Sequence, residues 1–188
     1  QIAALWEIPT DKVWLSCGYR PIPAMQQAEI IEVLADLPIS LKERIVLILT
    51  MNYSTEQKAY MRRIKQLLSD GEIQHVIIDR YLEEEELGNL RKAMDVLVHL
   101  PLTDAMSATL IEHLYAGNWV VTYRSLPFTL LRKHKLEYEE IDDWTELSTV
   151  LHQGLTKNNY SNQQTATQIE EMIEHHFSIN KWLMVIYE

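Results

Sequence analysis

Asp104 and Glu112 stand eight positions apart, at the two ends of the stretch Asp-Ala-Met-Ser-Ala-Thr-Leu-Ile-Glu. Ala105, Ser107 and Ala108 carry little bulk, so a ligand could approach the backbone closely between them. If Ser107 caps a helix, the amides of Ala108 and Thr109 point forward without intrahelical acceptors and form an anion site. The Thr109 hydroxyl adds a donor toward a phosphate oxygen. Glu112, between one and two turns deeper, suits a carboxylate accepting hydrogen bonds from the vicinal hydroxyls of a ribose. Asp104, on the loop side, suits the hydroxyls of a sugar. Together these would meet opposite ends of one ligand. The same spacing also describes plain helix-start chemistry, with Asp104 or Ser107 as cap and Glu112 as a solvated helix residue. Both readings stand on spacing alone.

Any such stretch needs elements to hold it, and the hydrophobic pattern supplies them. Residues 12–17 read as a strand, 18–23 as a turn, and 24–37 carry apolar residues at helical spacing. Residues 44–51 are too short and too β-branched for a helix and read as a strand buried on both faces. Ser54 can cap a helix over 55–68, which Asp70-Gly71 stops. A third strand covers 73–79, and a helix over 83–93 opens with four glutamates that favour the positive end of its dipole. Residues 94–100 form a fourth strand, the next helix runs to Tyr115, and Gly117 ends it before a strand at 119–123. This alternation predicts an α/β fold: a Rossmann-like parallel β-sheet of about six strands flanked by helices on both faces, with extra C-terminal helices. Ligands of such sheets bind at the carboxyl ends of the strands, so the loops after Cys17, Met51, Asp79 and Leu100 carry the interest.

Composition narrows the chemistry. With 188 residues the chain is the size of one α/β domain, and its net charge of −10 argues against nucleic acid. Cys17 is the only cysteine, which rules out an intrachain disulfide and a thiolate metal site and suggests a reducing, cytoplasmic setting. The seven histidines show no metal-ligand spacing, and no P-loop, GxGxxG loop or Ser/His/Asp arrangement is present. No metal and no cofactor is expected. The start at Gln1 suggests part of something longer.

The whole pattern resembles the E-x7-E region of two-domain GT-B type glycosyltransferases. Asp104 and Glu112 take the two acidic positions, followed by His-Leu-Tyr-Ala-Gly and a β-branched strand. The likeness runs in order over about residues 13–155, and residues 46–68 resemble the strand and helix of bacterial transferases that build surface polysaccharides. It implies one half of a GT-B fold, the carboxy-terminal domain that binds a nucleotide-diphosphate sugar. Carried over by position, Glu112 binds the ribose, Asp104 contacts the donor sugar, and the Ser107, Ala108 and Thr109 segment holds the diphosphate. Gly18 and Arg20 in the loop after the first strand also serve the diphosphate. Asn52 and His99 line the sugar end, while Arg80 and Tyr81 lie where the base is held. Asn52, Arg20, Tyr81 and His99 each have an ordinary turn, packing or structural reading beside the functional one. The chain departs from the family pattern where Asp104 replaces a glutamate, where Ala and Ser replace glycines around Ser107, and where the first loop lacks Arg followed by Lys-Gly.

The resemblance further implies three parts: residues 1–12 as an interdomain linker, 13–156 as the donor-binding domain, and 157–188 as C-terminal helices that cross to an N-terminal domain of the same protein. That absent domain would carry the saccharide or lipid-linked acceptor and any general base. The setting would be cytoplasmic, at the inner face of the cell membrane, with peripheral attachment through the absent half. A GT-B type nucleotide-sugar epimerase and a non-enzymatic α/β interaction domain are the competing readings.

Overall fold

The computed structural model describes residues 2–51, 57–105, 107–157 and 163–177. Six strands make one sheet: β1 (Val13–Cys17), β2 (Ile45–Thr50), β3 (His75–Ile78), β4 (Val96–His99), β5 (Trp119–Tyr123) and β6 (Glu139–Ile141). Their order across the sheet is β3-β2-β1-β4-β5-β6, and every pairing is parallel. Parallel neighbours cannot be joined by hairpins, so helices carry the chain back each time. These are α1 (Ile2–Leu5), α2 (Gln27–Ala35), α3 (Ile39–Lys42), α4 (Lys58–Asp70), α5 (Glu84–Ala93), α6 (Ala108–Tyr115), α7 (Thr129–Lys133), α8 (Leu147–Lys157) and α9 (Gln163–Phe177), with short 3-10 turns at Pro23–Met25 and Trp144–Glu146.

The two-residue period of the strands sorts the core. Leu15, Cys17, Leu47, Leu49, Val96, Val98 and Val121 pack against α2, α4 and α8 on one face. On the other, Trp14, Val46 and Ile48 meet Ile8, Leu82 and Leu90, and Leu97 and Val120 meet α6 and α9. Helix α9 lies on α6 through buried Ile169 and Met172, and Tyr115 donates from its hydroxyl to Glu170 Oε1 at 2.8 Å.

Two local expectations are refined. The helix expected over 24–37 is broken by Gln26, whose left-handed φ of 53° separates the 3-10 turn from α2. Gly71 does close α4, but at φ −79°; the left-handed residue is Glu72, at φ 51°. Small size is what residue 71 needs, because a Cβ there would stand 2.7 Å from the Cβ of Ala35. The proposed cap Ser54 lies outside the described residues.

A buried polar cluster ties α6 to the sheet. The Asn118 amide donates to the Met94 carbonyl, and its Oδ1 lies 2.8 Å from His113 Nδ1. Burial first, then the charge of Arg91, pushes His113 down from 6.5 to about 3. Between those values the unfolded chain binds a proton that the native state refuses, so stability is complete above the upper one and falls as the pH drops toward the lower. His113→Gln should therefore flatten the dependence of unfolding free energy on pH by up to about 1.4 kcal/mol per pH unit in the range of about pH 4–6, read by urea denaturation.

Candidate functional site

In a sheet of this order the crossovers after β1 and β4 leave on opposite faces, and a crevice opens between the loops that follow these strands. Here α2 and α6 take the two sides. The loops are joined across the gap by the Leu102 amide, which donates to the Ala24 carbonyl at 2.9 Å. From the end of β5 the Tyr123 hydroxyl reaches Gln26 Oε1 at 2.8 Å, binding a third strand to the same loop.

The loop after β1 is shaped by Gln27. This side chain is fully buried; its amide donates to the Arg20 carbonyl, and its Oε1 accepts from the Tyr60 hydroxyl at 3.4 Å. That hydroxyl in turn accepts from the Ala28 amide at 3.1 Å, and burial raises it to about 12. Gly18 has φ +61°, and a Cβ on it would stand 2.6 Å from Gln27 Nε2. The space that a side chain would take at residue 18 is thus filled by Gln27 and is not ligand room. Arg20 is exposed, its guanidinium 5.5 Å from the centre of the Tyr19 ring.

The loop after β4 carries the acidic and small residues. Ser107 caps α6, accepting from the Leu110 amide at 3.3 Å, so its side chain is engaged and the forward-pointing donors are the amides of Ala108 and Thr109. Asp104 Oδ2 lies 2.7 Å from His99 Nε2, and Oδ1 accepts from the Ala105 amide at 2.8 Å. The bond to His99 holds the Asp104 carboxyl below its ordinary range against the opposing effect of burial. His99 itself is completely buried. The direct sugar contact expected of it does not fit this placement, because parity turns its ring inward with Leu97.

Glu112 projects from α6 toward α5 and pairs with Arg91. The pair borders a groove of about 680 Å³ between α5, α6 and α9 whose walls include Leu87, Ile111 and Ile169. Asp104 and Glu112 therefore serve opposite sides of the α6 start, each with its own cationic or imidazole partner. At the end of β3, Arg80 forms a two-point bond to Glu86 at 2.9 and 2.7 Å and lies 5.6 Å from the Trp6 ring centre. Mutual attraction raises Arg80 and lowers Glu86. Tyr81 is exposed beside it. Asn52 lies outside the described residues.

Nothing in the sequence pairs Arg91 with Glu112, since they sit on different helices; nor does it bring Gln27 to Gly18. An amide at the buried face of α2 is the one signal that could have pointed to the latter. Among the described residues no three His, Cys, Asp or Glu side chains could hold a metal ion, and no helix is long and apolar enough to cross a membrane.

No family model and no curated protein matches the chain. Solved structures do. The C-terminal domain of a glycosyl transferase group 1 family protein, LpcC, from Francisella tularensis superposes with a TM-score of 0.71 at 11% identity, over 95% of this chain and 94% of that one. HepE from Anabaena, in complex with UDP and glucose, gives a TM-score of 0.75 at 15% identity, over 99% of this chain and 50% of that one. Sucrose-phosphate synthase from Thermosynechococcus elongatus gives 0.74 at 15%, over 99% and 47%.

The fold is one half of a GT-B fold.

The chain spans about half the length of HepE. The Arg20 loop follows β1, the α6 start follows β4 and the Arg80 loop follows β3, all at the carboxyl ends of the parallel strands. If Gly18 is held by Gln27 as described, Gly18→Ala should cost about 2 kcal/mol or more in urea unfolding, from the left-handed backbone and the displaced amide.

Proposed function

We infer that this chain binds the donor of a glycosyltransferase. A nucleoside diphosphate sugar would lie across the crevice with its diphosphate over the α6 start, its ribose at Glu112, its sugar at Asp104 and its base toward Arg80 and Tyr81. The observation that carries this reading is the arrangement of the two carboxylates about α6, Asp104 in the loop before its N-terminus and Glu112 along it, after β4 at the switch point of the sheet. Fold alone does not decide chemistry, but this arrangement has donors and acceptors in the order that such a ligand presents them.

The electrostatics are local. A chain of net charge −10 repels a diphosphate at long range, so short-range donors must overcome that field. The Ala108 and Thr109 amides, the positive end of α6 and the guanidinium of Arg20 supply them. The same groups would stabilise the diphosphate as it leaves, when its charge grows, which is where preorganised dipoles contribute most to rate. Glu112 pairs with Arg91 and, as a carboxylate, would keep lone pairs for two ribose hydroxyls. The acceptor, a saccharide or lipid-linked intermediate, would sit on a second α/β domain together with any general base, in the cytoplasm at the membrane face.

Thermal unfolding against UDP, GDP and dTDP and their glucose conjugates tests this. A ligand at about 100 times its Kd adds about 2.7 kcal/mol, a rise of about 5–10 °C for a domain of this size. The expected result is such a rise for one nucleotide class, abolished in Glu112→Ala. No rise with any nucleotide, or a rise that survives Glu112→Ala unchanged, refutes the assignment.

A further inference from the structure

His99 is the only polar side chain of β4, and it occupies a position that parity makes part of the core. Its backbone carbonyl accepts from the Thr122 hydroxyl at 2.8 Å, which holds the end of β4 against β5. Its ring has two nitrogens in different states. Nε2 meets the Asp104 carboxylate, and Nδ1 is buried without a hydrogen-bond partner among the described residues. An ionised carboxylate only accepts, so the proton in the bond between them belongs to Nε2. A ring this enclosed touches neither a sugar nor an attacking hydroxyl. Its route to a ligand runs through the carboxylate it holds.

That carboxylate is largely committed to the protein, its side chain only 15% exposed. Oδ2 is taken by His99 and Oδ1 by the Ala105 amide, and the Ser107 side chain also bonds the carboxylate, so the acceptor capacity that remains has a fixed direction. An aspartate in a loop without such partners would rotate, and ordering it on binding would cost affinity. We propose that His99 is the positioning residue of donor-sugar recognition, locking the Asp104 carboxylate so that its remaining acceptor site meets a hydroxyl of the transferred sugar. This rests on the reading that Asp104 meets the sugar, and it adds the group that gives Asp104 its orientation.

The test separates the lock from ordinary loop damage. Isothermal calorimetry on the full chain compares UDP, GDP and dTDP with their glucose conjugates in the wild type, His99→Leu, His99→Gln, Asp104→Asn and the double variant His99→Leu/Asp104→Asn. In His99→Leu the sugar conjugate should lose about tenfold or more in affinity while the bare nucleoside diphosphate changes by less than about twofold, since one charge-assisted hydrogen bond is gone. Glutamine places an amide N–H near the position of Nε2, so His99→Gln should restore most of the loss. The double variant should bind no worse than Asp104→Asn alone. Equal weakening of conjugate and bare nucleotide, or additive losses in the double variant, overturns the proposal. Carbon-detected NMR titration of the Asp104 carboxyl supplies a readout without ligand: it should titrate below the ordinary aspartate range in the wild type and move up in His99→Leu. A wild type that binds no nucleotide sinks the donor reading, whereas an Asp104 titration unmoved by His99→Leu sinks the lock itself.

Discussion

The pairing of β1 with β4 governs the rest of the molecule. Leu15, Ser16 and Cys17 run in register with Val96, Leu97 and Val98, at the place where the sheet order reverses direction. Because both strands are covered on both faces, neither can slip by one residue without turning its whole apolar set over. That register decides which residue ends each strand and so which loop begins where. It also decides that His99 faces inward and that Asp104, a few residues later, is within reach of it. The crevice is thus a by-product of core packing in the centre of the sheet.

Around the crevice, charge is used in small closed units. Glu112 is matched by Arg91, Glu86 by Arg80 and Asp104 by His99, so the acidic chain does not present a bare negative wall to its ligand side. The exposed Arg80–Glu86 pair contributes little to stability. What these pairs fix is direction, each carboxylate being held by a named partner. The neutral polar network of Gln27, Tyr60 and Ala28 does the same for the backbone of the loop after β1.

Much of this was legible in the residues. The strands of the central sheet are apolar runs with few alternatives, and their order of appearance with helices between them leaves little choice but a doubly wound sheet. Side-chain type and the apolar periodicity after them leave Asp104 or Ser107 as the α6 cap, and Ser107 takes that place. The site was legible only as positions along the chain. Helical spacing could place Glu112 on α6, but not on the side that meets Arg91. His99 is legible as a strand-end histidine with both a ligand and a structural reading, and its inward direction depends on which of two faces α6 covers. Gly18 is legible as a flexible loop position, but nothing local announces that Gln27, nine positions on, packs against it.

The hydrogen bond between Leu102 and Ala24 has a bearing on how a crevice like this one discriminates. It spans the two lips through main chain alone, so sliding one loop past the other has to break it. Jaws tied in this way favour one width. Any adjustment to guests of different shape then falls to the exposed side chains at the rim, Arg20 and Leu102 among them, and to whatever closes over the crevice from outside.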